Sequence, residues 1–172
     1  MNNYVKIASI NMIFALSIQS SLAQDIVGIW QSIDDKTNAP KALIEIKKDS
    51  LGEYFGTIVK VTPSAGYKPQ EFCTKCTGAL KNKPILGMTI FSKVKEIKPN
   101  QFGNGQILDP LSGKFYKVNI KLSSNGNNIR VHGYIGIQAI GRTQTWVREK
   151  LSNIAHKYEK NFGEIFQTSN RN

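Results

Sequence analysis

The strongest constraint on this chain is a strict two-residue alternation late in its sequence. Tyr116, Val118, Ile120 and Leu122 alternate with Lys117, Asn119 and Lys121. Period two places every second side chain on one face of a strand, so one face is apolar and the other wet. Ser123-Ser124-Asn125-Gly126-Asn127 follows, a cluster whose Asn and Gly residues accept turn conformations. Ile129, Val131, Gly133 and Ile135 then alternate with Asn128, Arg130, His132 and Tyr134. Two such runs around such a turn predict a β-hairpin.

Shorter patterns extend the series. Ile26–Ser32 reads as a first strand, Ala42–Lys47 as a second and Glu53–Val61 as a third, with a turn at Asp49–Gly52. Gly87–Ile97 and Phe102–Leu108 read as a pair around Pro99-Asn100. Asp109-Pro110-Leu111-Ser112-Gly113 is a tight turn in which Pro sets φ and Gly permits the reversal. Asp109 is there most simply as a turn residue bonding its own loop. Ala139–Arg148 closes the series. Eight strands with short connections predict an all-β fold, a sandwich or a barrel.

Two segments depart from this pattern. Thr62–Pro84 is long for a hairpin loop and contains Cys73-Thr74-Lys75-Cys76. After Lys150, Leu151, Ile154, Ala155, Tyr158, Phe162 and Phe166 fall at three- and four-residue spacings, which predicts a C-terminal helix within 150–172, frayed at its polar end.

The amino end bears on compartment. Lys6 precedes a mostly apolar run, Ile7–Ile18, and Ser21 and Ala23 set small residues three and one before a cut after Ala23. This is a secretory signal peptide pattern over 1–23, with periplasmic or secreted protein as the product. A buried N-terminal helix or an uncleaved anchor is the competing reading, although the run is short for a bilayer span. Cleavage removes Lys6 alone among the charged residues, lowering the net charge from +11 to +10. Export and the scattered placement of the lysines argue against a nucleic-acid partner. The same charge suits an anionic envelope surface, either lipid or cell-wall polymer.

Two constellations stand out on the strands. Gly28-Ile29-Trp30 sets a Trp on the first strand, where it can plug the closed end of a small barrel under a late arginine, Arg142 or Arg148, by cation–π stacking. On the last strand Arg142, Gln144, Trp146 and Arg148 share one face, and Gly141, Thr143, Thr145 and Val147 the other. Such polar groups need partners. They form an internal network that closes the barrel, or, as Arg142, Thr143 and Gln144 with Tyr116, a site for an acidic head group.

The Cys73/Cys76 pair has three readings: a loop-stapling disulfide, a redox pair, or half of a metal site. His132 and His156 are the histidines left to complete a zinc set, and neither is predictably spaced. No Ser–His–Asp order, Gly-x-Ser-x-Gly or metal-helix motif is legible, so no catalytic residue, metal or cofactor is assigned.

The ordered stretches GIW (Gly28–Trp30), GTIVKV (Gly56–Val61), KNKPILGM (Lys81–Met88), GNGQILDPLSGKFYKV (Gly103–Val118) and GRTQTWVR (Gly141–Arg148) resemble the bacterial domain-of-unknown-function 2147 family. The resemblance covers about Asp25–Glu149. The Cys pair resembles a variant found in part of that family, so no family-wide role is carried to it. The resemblance implies a lipocalin-like, up-and-down antiparallel barrel over 24–149 in the cell envelope, and no reaction. The leading expectation is a non-enzymatic binder of a small apolar or amphipathic ligand. An envelope-docking protein and a thiol oxidoreductase are the alternatives. No oligomeric state is assigned.

Overall fold

A computed structural model describes residues 25–35, 37–63 and 69–150. The signal-like segment 1–23 and the expected helix beyond Lys150 lie outside the described residues.

Eight strands run in chain order: β1 (Gly28–Ile33), β2 (Pro40–Lys48), β3 (Tyr54–Val61), β4 (Thr89–Lys98), β5 (Gln101–Asp109), β6 (Lys114–Leu122), β7 (Asn128–Tyr134) and β8 (Gly141–Arg148). Each pairs antiparallel with its neighbour in sequence. β8 returns to β1 through Trp30↔Arg148, Gln31↔Val147 and Ser32↔Trp146. The sheet is therefore a closed up-and-down barrel, and closure leaves no strand edge open to another chain.

This topology sorts the connections. The β2–β3, β4–β5 and β6–β7 turns lie at one end. The β1–β2, β3–β4, β5–β6 and β7–β8 connections lie at the other. Side-chain chemistry sets the first group: Asp49 Oδ1 accepts the amides of Leu51 and Glu53 at 2.9 and 2.8 Å. Asn125 Oδ1 likewise accepts from Ser123 Oγ and the Asn127 amide at 2.7 and 3.0 Å. Both are Asx-type turns that replace missing ladder bonds.

Alternation holds where the ladder is regular and fails at bulges. The register shifts between Leu43 and Ile44, so Ile44 faces Ile58 while Ala42 faces Val61. β4 shifts across Phe91–Val94, with Lys93 at φ 58°, and buries Ile90, Phe91 and Val94 together. Bulges add residues without partners and bend the strand, which helps a sheet to close.

Strand ends differ from the sequence reading by one or two residues in most strands, and two of the differences bear on the site. β1 begins at Gly28, and Ile26 instead lies buried before it as part of the plug. β7 stops at Tyr134 and β8 begins at Gly141, so 135–140 is a loop with Gly136 at φ 71°.

The core is concentrated at the end carrying the three short turns. Trp30, Ile46, Tyr54, Val94, Phe102, Leu122 and Ile129 are fully or almost fully buried there, and Tyr54 meets Phe102 edge-on at 5.1 Å. Phe91 and Trp146, 6.4 Å apart, form the next layer. Gly56 makes room for this layer, because a Cβ at that position would enter the Phe91 ring.

Candidate functional site: a barrel cavity open at one end

β8 spans the height of the barrel. At ~3.3 Å per residue, Arg142 and Arg148 stand ~20 Å apart, so they serve opposite ends. Arg148 closes the packed end, with its Cζ 4.2 Å from the Trp30 ring centre. Its Nη2, Nη1 and Nε donate to the carbonyls of Asp25, Val27 and Gly126 at 2.6, 2.9 and 2.7 Å. Trp30 Nε1 donates to the Ile26 carbonyl at 2.8 Å. Gly28, at φ 135°, leaves the space that the guanidinium fills, since a Cβ there would lie 3.0 Å from Arg148 Nη1. Burial pulls the Arg148 pKa below its ordinary value while nearby Asp25 pushes it back up. An arginine in this setting stays charged at neutral pH. These residues form a half-buried lid over the fully buried Trp30, and the open chemistry lies elsewhere.

Above Phe91 and Trp146 the barrel is hollow. A cavity of about 560 Å³ opens at the other end. Its wall is mainly apolar, with Ile44, Ile58, Ile107, Val131 and Trp146 among the lining residues. Gly133 enlarges it. The alternation Ile129–Val131–Gly133 turns this residue inward, and a Cβ there would have Ile107 and Tyr116 as its nearest neighbours, at ordinary contact distances.

Polar groups gather toward the mouth. Ser32 Oγ lies on the β2 backbone, donating to the Ala42 carbonyl and accepting from its amide at 3.3 and 3.2 Å. Gln144 Oε1 accepts from Trp146 Nε1 at 3.4 Å. Arg142 Nε and Nη2 both reach Asp35 Oδ2 at 2.8 Å. Lys41 pairs with Asp34 at 3.4 Å. Tyr116 and Asp109 also line the cavity. Asp109 is committed to its turn: Oδ1 accepts from the Leu111 amide at 3.1 Å and Oδ2 from Ser112 Oγ at 2.7 Å.

Of the four residues read as a ligand set, the fold brings Arg142, Gln144 and Tyr116 to one cavity. Thr143 is placed apart from them. It lies on the outer face and shares a hydrogen bond of 2.8 Å with His132 Nδ1. Strand alternation alone separates it from its neighbours. Arg142 stands on the rim, with its planar fork turned to Asp35. Ser32, Lys41 and Gly133 were missed. The missing side chain at Gly133, inside an apolar alternation, was the one signal for them in the sequence.

Cys73 and Cys76 form a disulfide, and both are buried, at 0% and 3% exposed. Cys73 exchanges backbone hydrogen bonds with the returning segment, its amide to the Lys83 carbonyl and its carbonyl to the Asn82 amide, at 2.9 and 3.0 Å. The staple rests on the β5–β6 turn: the Pro110 carbonyl oxygen is 3.1 Å from Cys73 Sγ, and Gly113, at φ 70°, packs under the Lys75 carbonyl with no room for a Cβ. Thiol exchange needs an accessible sulfur. This pair is almost wholly buried, and its sulfurs are bonded to each other rather than free to bind zinc.

An antiparallel eight-stranded barrel, plugged at one end by a Trp under an Arg and open at the other onto an apolar cavity, is a lipocalin-like barrel. The chain belongs to the bacterial family described as uncharacterized protein conserved in bacteria, DUF2147, whose model matches residues 28–148. Among solved structures it is similar to protein HP1028 from the human pathogen Helicobacter pylori, described as belonging to the lipocalin family. The TM-score is 0.65 at 19% identity, over 77% of this chain and 88% of that one. At that identity the likeness is one of fold. No curated protein matches the chain.

Proposed function

We propose that this protein is a non-enzymatic binder that carries a small apolar or amphipathic molecule in its barrel. The observation that carries this reading is the half-filled interior. A cavity of about 560 Å³ falls within the ~300–1,000 Å³ of small-molecule sites, and its polar groups are few and gathered at the mouth. An apolar body packs against Ile58, Ile107, Val131 and Trp146. A polar or acidic head group stays at the rim beside Lys41, Tyr116 and Arg142. A carboxylate there competes with Asp35 for the guanidinium, which favours carboxylates that offer two oxygens. The N-terminal pattern and the disulfide support an extracytoplasmic setting for this carrier.

The test uses an environment-sensitive naphthylamine dye and its displacement by fatty acids and fatty alcohols. Wild-type protein takes up the dye with saturable fluorescence. Gly133→Leu intrudes on the cavity and is expected to lower dye affinity by about tenfold, because ~4 carbons occupy wall space where the ligand packs. Arg142→Gln lowers affinity for the acids more than for the alcohols of equal length. Dye uptake undiminished in Gly133→Leu, with the fold intact by circular dichroism, refutes binding in the barrel.

A further inference from the structure

The mouth of the cavity is not polar all round. Ile135, Ile137 and Ile140 stand 62%, 65% and 69% exposed within one six-residue loop. Ile135 and Ile140 also line the cavity, so the apolar surface runs without a break from the interior out to solvent. Single exposed apolar residues are ordinary, but a contiguous group on a functional opening marks a surface that meets something apolar.

The loop is held in this posture by the barrel. His132 Nε2 donates to the Gln138 carbonyl at 2.9 Å, while its Nδ1 meets Thr143 Oγ1 at 2.8 Å. The Ile140 amide closes a turn on the Ile137 carbonyl at 3.2 Å. Gly141 packs against the His132 ring and the Gly133 carbonyl where a Cβ has no space.

Charge selects the partner. At this end Asp34 and Asp35 are occupied by Lys41 and Arg142, and Asp109 by its own turn. The stapled segment 69–88 adds exposed Lys75, Lys81 and Lys83 against Glu71 as its one acid, on a chain of net charge +11. Apolar side chains at the same barrel end as this lysine excess match the interface of an anionic bilayer, where isoleucine enters the acyl boundary and lysine stays among phosphates.

We propose that the barrel docks mouth-first on an anionic phospholipid bilayer, with Ile135, Ile137 and Ile140 inserted, so that its opening faces the lipid phase. Docking does not depend on the cavity being loaded. It rests on the carrier reading only for its purpose, the passage of an apolar ligand without exposure to water.

The experiment is flotation of the protein as bacterial cells accumulate it, its N-terminus established by mass. The vesicles are phosphatidylcholine alone or phosphatidylcholine mixed with phosphatidylglycerol. Wild-type protein floats with the mixed vesicles and stays behind with the neutral ones. Replacing Ile135, Ile137 and Ile140 together by Ser lowers flotation by about tenfold or more, in the same preparation and with the same N-terminus. An Ile137→Trp variant gains a blue-shifted emission component on adding mixed vesicles, whereas native Trp30 and Trp146 are already buried. Gly133→Leu floats as wild type does, whatever the dye assay shows. Flotation unchanged by the triple substitution, an Ile137→Trp spectrum indifferent to vesicles, or a wild type that does not float overturns the proposal.

Discussion

Single residues at the packed end carry more than their own contacts. Arg148 ties the carbonyls of Asp25, Val27 and Gly126 together and covers Trp30. Removing it orphans three acceptors and bares an indole. Arg148→Ala is expected to lower unfolding free energy by about 3 kcal/mol or more. Arg148→Lys recovers less than half of that, because an ammonium cannot span three carbonyls and stack. Urea titration with Trp fluorescence reads both. Gly56 acts by absence. Gly56→Ala drives a methyl into Phe91 and is expected to cost about 1–3 kcal/mol. Phe91→Leu in that background returns part of the loss, a coupling that a double-mutant cycle measures. The Trp in GIW suggests a plug on sequence alone, but not which arginine covers it. Both candidates lie on one strand face, and only closure of β8 onto β1 sets Arg148 opposite Trp30.

At the scale of elements, the eight strands were legible because burial on one face and solvent on the other imprint period two. The β6–β7 pair shows this most clearly, with Ile120↔Val131 and Leu122↔Ile129 inside. The pattern blurs in β4 and β5, where bulges at Lys93 and Asn104 bring both faces into cover. It also misled at the edges of 135–140, where Ile135 extends one expected strand and Ala139-Ile140 opens the next, within what is a loop. The stapled β3–β4 segment is held by its disulfide and by the β5–β6 turn. Reduction, or Cys73→Ser with Cys76→Ser, is expected to cost about 2 kcal/mol, small because the closed loop is short. Limited proteolysis should then cut first within 69–88, ahead of the barrel. An unchanged cleavage order would show that the turn contacts alone suffice.

The whole molecule divides into a packed half and a hollow half, and they respond to conditions differently. In the packed half, burial raises the Tyr54 pKa above the ordinary ~10, with Lys48 over its ring at 4.9 Å opposing the rise. The unfolded chain releases this proton first. The stabilising contribution is therefore complete below pH ~10 and declines as pH climbs through the folded value. Tyr54→Phe gives up the 3.2 Å bond to Asp25 Oδ2, which costs about 1 kcal/mol at neutral pH, yet it flattens the alkaline fall in melting temperature. A wild type and a Tyr54→Phe variant with parallel melting profiles above pH 10 would show that this phenol does not set alkaline stability. The hollow half contributes less to stability and more to binding, so Gly133→Leu is expected to leave the melting temperature level or raise it while weakening dye uptake.

Local physics determined much of this protein before any tertiary contact. Alternation writes strand number and face, and Asp, Asn, Gly and Pro write the turns, because each acts within a few residues. The polar residues of β8 were legible as residues in need of partners, and their partners were not. Arg142 finds Asp35 from 107 positions away, and Thr143 is turned to His132 on the opposite wall face. Whether the barrel is filled or hollow is also absent from the sequence. Cavity volume is the small difference between the space eight strands enclose and the side chains they turn inward. Closure, bulges and the inward glycine at 133 set that difference together, and each is a property of the assembled sheet.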